Sequence, residues 1–238
     1  MKLLAGTSGY AFKEWKGSFY PSSCKNDAML GLYAEQFPSV EINNTFYRLP
    51  KENVLLDWAS RVPDEFTFAI KASQRITHYA RLKPESASAV DFLVKNLAAL
   101  GGKLGPILFQ LPPNLQKDFD RLRVFLDTLP IDKRITIEFR HESWFGDDVF
   151  DVLRARDIAM CITEQPEFAS PLVATASWGY TRLHRLDYDD AALAAWSKKL
   201  SAMPWNDAYV FFKHDEGIGS GPPAVASFIS SFGNGLSL

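Results

Sequence analysis

Carboxylates, guanidiniums and imidazoles recur in this sequence at every second position of short apolar runs. In residues 135–141, Ile135, Ile137 and Phe139 alternate with Thr136, Glu138 and Arg140, and His141 follows. The same two-residue period carries Glu41, Asn43 and Thr45, then Thr67, Ala69 and Lys71, then Leu108 and Gln110. It returns with Arg182 and His184, and again with Tyr209, Phe211 and Lys213. The apolar partners of each run belong against helices. The polar set then shares one interior, with its charged members at the C-terminal ends of the strands.

Clustered carboxylates and cations of this kind allow three chemistries. Glu41 and Glu138 can act as an acid/base pair if their surroundings separate their pKa values, with His184 as a third proton-transfer group. Asn43, Lys71, Gln110, Arg140, His141, Arg182, Lys213, His214 and Asp215 are the expected ligand-binding set. Their local positive excess suits a carboxylate, a phosphate or a developing oxyanion. In the second chemistry, Glu138, His184 and Asp215 ligate a divalent metal, although no compact HExxH-type motif is present. In the third, a desolvated Lys71 forms a Schiff base. Paired with a glutamate it stays a plain cation, and that is the expected state. Cross-lumen ion pairs with no ligand are the structural alternative, but burying so many charges is costly unless they have a use.

The elements that position these residues follow from the rest of the pattern. Eight candidate strands are separated mostly by amphipathic helical segments, which calls for parallel β/α connections. A strand at 2–8 ends in Gly6-Thr7-Ser8-Gly9, and the aromatic loop 10–21 follows. Asp27 is the expected N-cap of a helix that Pro38 stops. Strand 40–47 precedes a helix at 52–61. Strand 66–71 leads through a polar loop holding His78 and Arg81 to the helix that Gly101-Gly102 ends. Strand 107–111 stops at Pro112-Pro113, and Asp118 caps the next helix. After strand 135–141, Trp144 is expected as a lid or pocket wall. Strand 158–163 is followed by a connection with no convincing helix. Strand 180–184, helix 190–203, strand 208–213 and a glycine-rich turn at 217–221 complete the series. That turn stands where barrels often bind phosphate, but Pro222 and Pro223 cannot donate N–H groups to one. The expected fold is α/β: a single TIM-type (β/α)8-like barrel over residues 1–238, some of its connections lacking regular helices.

Composition narrows the partners. A formal net charge of -2 gives no global attraction to nucleic acid or anionic membrane, and basic residues are sparse around the aromatic loop. Nucleic acid is therefore disfavoured without being excluded. The two cysteines make neither a disulfide framework nor a metal-type pair. With no signal-peptide pattern and no membrane-length apolar run, a cytoplasmic protein is expected, plausibly monomeric. No motif indicates a cofactor.

Together, Gly6-Thr7-Ser8-Gly9-Tyr10, Glu41-Ile42-Asn43-Asn44-Thr45-Phe46-Tyr47, Phe109-Gln110-Leu111-Pro112-Pro113 and Glu138-Phe139-Arg140-His141 resemble the DUF72 family of YecE-like proteins. Phe68-Ala69-Ile70-Lys71-Ala72, Ile76-Thr77-His78, Arg182-Leu183-His184 and Phe212-Lys213-His214-Asp215 extend the resemblance over nearly the whole chain. It implies a TIM-type barrel and no particular reaction, the family being named for its unknown function. The expectation is an enzyme or binder for a small anionic or phosphorylated ligand. A metal-dependent hydrolase or isomerase and a non-enzymatic nucleotide, nucleic-acid or protein-binding module are the alternatives.

Overall fold

Alternation along each strand sorts the interior into two apolar layers. The computed structural model of the chain describes residues 1–214 and 221–234. Its strands are β1 (Lys2–Thr7), β2 (Ser39–Ile42), β3 (Thr67–Lys71), β4 (Leu104–Gln110), β5 (Ile135–Glu138), β6 (Ala159–Met160), β7 (Ile162–Gln165), β8 (Phe168–Ala169), β9 (Trp178–Leu183) and β10 (Asp207–Phe212). Phe68, Ile70, Ile107, Phe109, Ile135, Ile137, Val210 and Phe212 belong to the large core shared with the helices. The intervening Ala69, Leu108, Cys161, Tyr180, Tyr209 and Phe211 form a separate inner cluster. This division is what a two-residue period produces in strands covered on both faces.

Helices α1 (Met29–Ala34), α2 (Glu52–Ser60), α3 (Ala87–Leu97), α4 (Phe119–Leu126), α5 (Asp147–Arg154), α6 (Asp190–Ser201) and α7 (Pro222–Asn234) alternate with the strands. The result is an α/β fold whose sheets are dominated by parallel pairs. Asp118 caps α4, its Oδ1 accepting from the Arg121 N–H at 3.0 Å. The cap expected from Asp27 does not form. Ala28 precedes α1, with no side-chain cap.

Among the described residues the ladders make two five-stranded sheets, ordered β1-β10-β9-β7-β8 and β2-β3-β4-β5-β6. The sheets meet at two places. At one, Ser8 bridges Glu41, and the Gly9 N–H donates to the Glu41 carbonyl at 2.8 Å. At the other, the expected strand 158–163 is split at Cys161, whose N–H donates to the Ile137 carbonyl at 2.8 Å. β6 pairs with β5, while β7, immediately after Cys161, pairs with β9.

Other departures from the expected elements have local causes. β2 stops at Ile42 because residues Asn44–Phe46 turn into a 3-10 helix, where the Thr45 hydroxyl donates to the Ile42 and Lys71 carbonyls. The polar loop of His78 holds a π-helix, Arg75–Tyr79, followed by Arg81 and Leu82 at positive φ. The helix-free connection after β7 contains the short antiparallel strand β8. Trp144 is no lid: it stacks on Phe139, 1% exposed, and its indole N–H donates to the Leu115 carbonyl. No helix of the described residues is long and apolar enough to cross a membrane. Residues 217–220 of the glycine turn lie outside the described residues.

Candidate functional site

Parallel register brings the C-terminal ends of the strands to one side of the sheets. Gln110, the last residue of β4, is paired with Glu138, the last of β5. Lys71 ends β3, Arg182 lies near the end of β9, and His184 follows that strand. Glu41 stands one residue from the end of β2, against Ser8.

Arg182 ties the two carboxylates together. Its Nη1 donates to Glu138 Oε2 at 2.6 Å and its Nη2 to Glu41 Oε1 at 3.0 Å. Nε lies 3.0 Å from Glu41 Oε2, at ion-pair distance without hydrogen-bond alignment. Both glutamates are 0% exposed and Arg182 only 3%, so the three charges hold one another out of water.

Glu41 also accepts from the hydroxyls of Ser8 (2.6 Å) and Tyr180 (2.7 Å) and from Asn43 Nδ2 (2.9 Å). Burial alone would raise its pKa. Arg182 and the two hydroxyl donors outweigh burial and hold it at about 2. A carboxyl so firmly ionised is not a proton donor at neutral pH. Glu138 has lighter company. It accepts from Gln110 Nε2 at 3.0 Å to each oxygen and from Gln165 Nε2 at 3.4 Å, with Arg140 Nη1 at 3.6 Å.

The depressed value of Glu41 has a measurable consequence. Its folded pKa lies below its ordinary 4.5, so the stabilisation is complete above about pH 4.5 and lost as pH falls toward about 2. The loss is on the order of 3 kcal/mol. Urea midpoints at pH 6, 4 and 3 should fall more steeply for the native chain than for Glu41→Gln. Equal pH dependence in the two would show that Glu41 is not the group responsible.

Lys71 is placed differently from the other cations. Among the described residues its Nζ makes no ion pair, and it sits 4.3 Å from the centroid of the Phe46 ring. Burial, then Arg182, lowers its pKa to about 8, against the opposing pull of Glu138 and Glu41. His184 Nε2 lies 3.2 Å from Ser8 Oγ. Burial, then Arg182, pushes this imidazole well below its ordinary range, leaving it neutral.

The remaining expected site residues divide. Arg140 Nη2 donates to Gln165 Oε1 at 2.8 Å and keeps 24% of its side chain exposed. His141 is used locally: Nδ1 accepts from the Ser143 N–H and caps the 3-10 turn Glu142–Trp144. His214 stacks on Phe12, ring centroids 3.5 Å apart. The Lys213 charge helps to depress His184, and its N–H donates to the Leu183 carbonyl at 3.2 Å. Asp215 lies outside the described residues. Ser8, Tyr180 and Gln165 are the participants that sequence reasoning left out. Tyr180 stands two residues before Arg182 and shares its face, so the strand period already contained that signal.

A family model described as "Protein of unknown function DUF72" matches residues 4–236. The chain belongs to the DUF72 family. Among curated DUF72 relatives, UPF0759 protein YecE of Escherichia coli (strain K12) is 34% identical over 115 residues, 48% of this chain and 42% of YecE. UPF0759 protein YunF of Bacillus subtilis (strain 168) is 24% identical over 169 residues, 66% of this chain and 60% of YunF. The chain thus matches under two thirds of either relative's length. The crystal structure of a DUF72 family protein from Thermotoga maritima aligns with a TM-score of 0.81 at 22% identity, covering 100% of both chains. That of an Enterococcus faecalis DUF72 protein aligns at 0.81 and 16% identity, over 97% of this chain and 95% of the other. At such identity the likeness is one of fold.

Two features bear on what this DUF72 site can hold. Among the described residues no group of three or more His, Cys, Asp or Glu side chains is placed to hold a metal ion, and Arg182 stands between the two glutamates. Beside Glu41 opens a cleft of about 410 Å³ whose lining includes Ser8, Tyr10, Phe12, Asn43, Trp58 and His214. Ser8 and Asn43 belong both to this cleft and to the Glu41 hydrogen-bond set, so a molecule in it lies next to the charged cluster.

Proposed function

We propose that the chain is an enzyme acting on a small anionic substrate, held at the C-terminal strand ends of a single closed (β/α)8-type barrel. The closure rests on the two places where the sheets meet. With β6 and β7 taken as one strand interrupted at Cys161, and β1 joined to β2 through Ser8 and Glu41, the parallel strands follow one another in a ring. Barrel enzymes carry their active sites at this end.

The observation that carries the functional reading is Lys71. A half-buried lysine beside two glutamates would ordinarily pair with one of them. Here Arg182 already holds both, and Lys71 has no ion-pair partner among the described residues. An anion entering the site would supply that missing partner, with the partly exposed Arg140 as its second contact. Glu138 is the group assigned to proton transfer, oriented by Gln110 and Gln165. Glu41 and Arg182 are positioning residues.

The test is a thermal-shift screen of phosphates, sugar acids and divalent ions against the native chain, Lys71→Met and Glu138→Gln. An anion present at about a hundred times its dissociation constant should raise the native Tm by roughly 5–10 °C. In Lys71→Met that shift should fall to near zero. An anion that stabilises both chains equally, or a divalent ion as the sole stabilising compound, would defeat the proposal.

A further inference from the structure

The position of Lys71 also bears on what the substrate must be, and this inference rests on the anion site proposed above. We infer that Lys71 is a nucleophilic amine that condenses with the carbonyl group of the anionic substrate to form a Schiff base. The substrate class is then a small aldehyde or ketone carrying a carboxylate or phosphate.

A lysine that only binds charge is most often seated against a carboxylate. The sequence led to that expectation for Lys71, and among the described residues the geometry departs from it. The nearby carboxylates are committed to Arg182, through contacts of 2.6 and 3.0 Å. The Lys71 stem belongs to β3 and is fixed at its root, where the Thr45 hydroxyl donates to the Lys71 carbonyl at 2.7 Å. Its amine lies over the face of Phe46, and the His78 ring stands edge-on to the same Phe46, 4.9 Å away at 86°. An amine that is desolvated and near other cations is in the environment in which lysine becomes a nucleophile.

The charged and titratable groups around it come from every neighbouring element. Arg182 and His184 belong to β9 and its end, Glu138 and Arg140 to β5 and its end, Glu41 to β2 and His78 to the π-helix. Burial and Arg182 bring the amine down to about 8. At pH 7 about a tenth of it is then unprotonated, against fewer than about one in a thousand for an ordinary lysine. His78 is itself held below its ordinary value, by burial and then by Lys71. It is thus neutral at pH 7, and its ring and the amine share the Phe46 ring as a neighbour.

The condensation balances without oxidant or reductant. The amine lone pair forms the N–C bond while the carbonyl π pair moves to oxygen. The two N–H protons then leave with that oxygen as water, and the nitrogen lone pair closes the C=N bond. Once the Lys71 nitrogen is bonded to carbon, Arg140, the second contact of the proposed anion site, holds the substrate's anionic group.

Borohydride trapping separates this inference from the anion site on which it rests. The full chain is incubated with glyoxylate, pyruvate or glyceraldehyde 3-phosphate, and in parallel with neutral glycolaldehyde. It is then reduced, and intact mass and peptide masses are read for the native chain and for Lys71→Arg, which keeps the charge. The expected result is one reduced adduct on the peptide carrying Lys71, formed at least tenfold faster than at any other lysine and absent from Lys71→Arg. Its rate should rise with pH to a midpoint near 8. Adducts spread over other lysines, or unchanged in Lys71→Arg, would overturn the inference. So would an anion that stabilises the native chain in a Lys71-dependent way while every carbonyl compound fails to trap, and the anion site would then survive alone. Equal trapping at Lys71 by neutral and anionic carbonyls would show a reactive amine but overturn the inferred substrate class, and the anion site with it.

Discussion

Arg182→Met should cost the fold about 3–5 kcal/mol, measured by urea denaturation at pH 7. The magnitude follows from what the substitution leaves behind. Methionine fills much of the volume, but Glu41 and Glu138, both 0% exposed, lose the cation that compensates them. Their remaining partners are hydroxyls and amides from Ser8, Tyr180, Asn43, Gln110 and Gln165, together with Arg140 at 3.6 Å from Glu138. Adding Glu41→Gln and Glu138→Gln to Arg182→Met should recover a large part of the loss, because the neutral triad no longer buries uncompensated charge. A single-site cost below about 1 kcal/mol, or no recovery in the triple variant, would mean that water reaches the carboxylates and that the network is not sealed.

Gly6→Ala should be strongly damaging, at about 3 kcal/mol or more. A Cβ at Gly6 would lie 1.9 Å from the Ser39 carbonyl oxygen and 2.8 Å from the Tyr33 hydroxyl. The first obstacle is backbone, which cannot rotate aside. The second is already engaged, accepting from the Thr7 N–H at 2.7 Å and donating to the Ser39 carbonyl at 3.2 Å. One methyl group would therefore push β1 away from β2 and strain the contact between Ser8 and Glu41. Gly102→Ala is the control: nothing lies within 4 Å of a Cβ there, and its stability should stay within about 0.5 kcal/mol of native. Comparable losses at both glycines would argue against the tight junction.

Much of the charged cluster was legible because a strand's period is short and strict. Glu138, Arg182, Gln110 and Glu41 all fell on the inner face by counting twos, and register then brought their ends together. Legibility failed where the backbone leaves that period. Thr45 reads as the next inward residue of β2, but the chain has already turned into a 3-10 helix. His78 reads as a loop residue because a π-helix has no apolar pattern to announce it. Gln165 reaches Glu138 from the end of β7, which a single strand over 158–163 could not supply. The state of Lys71 was open for another reason. Sequence shows that carboxylates are near, whereas their prior commitment to Arg182 depends on three side chains meeting from β2, β5 and β9.

The order of strands has a consequence for how the chain assembles during synthesis. Sheet β2-β3-β4-β5-β6 is built from consecutive segments between residues 39 and 160, each pairing with the one just made. Such neighbours close short loops and can associate as they emerge. β1 precedes that sheet in the chain, yet its ladder partner is β10, some 200 residues later. Its ladder pairing must wait for β10, although its end can already bridge β2 through Ser8 and Glu41. Until β9 arrives, the early half-sheet carries Glu41 and Glu138 without the arginine that neutralises them. Burying them before that would leave two carboxylates uncompensated, so their burial should coincide with the docking of Arg182.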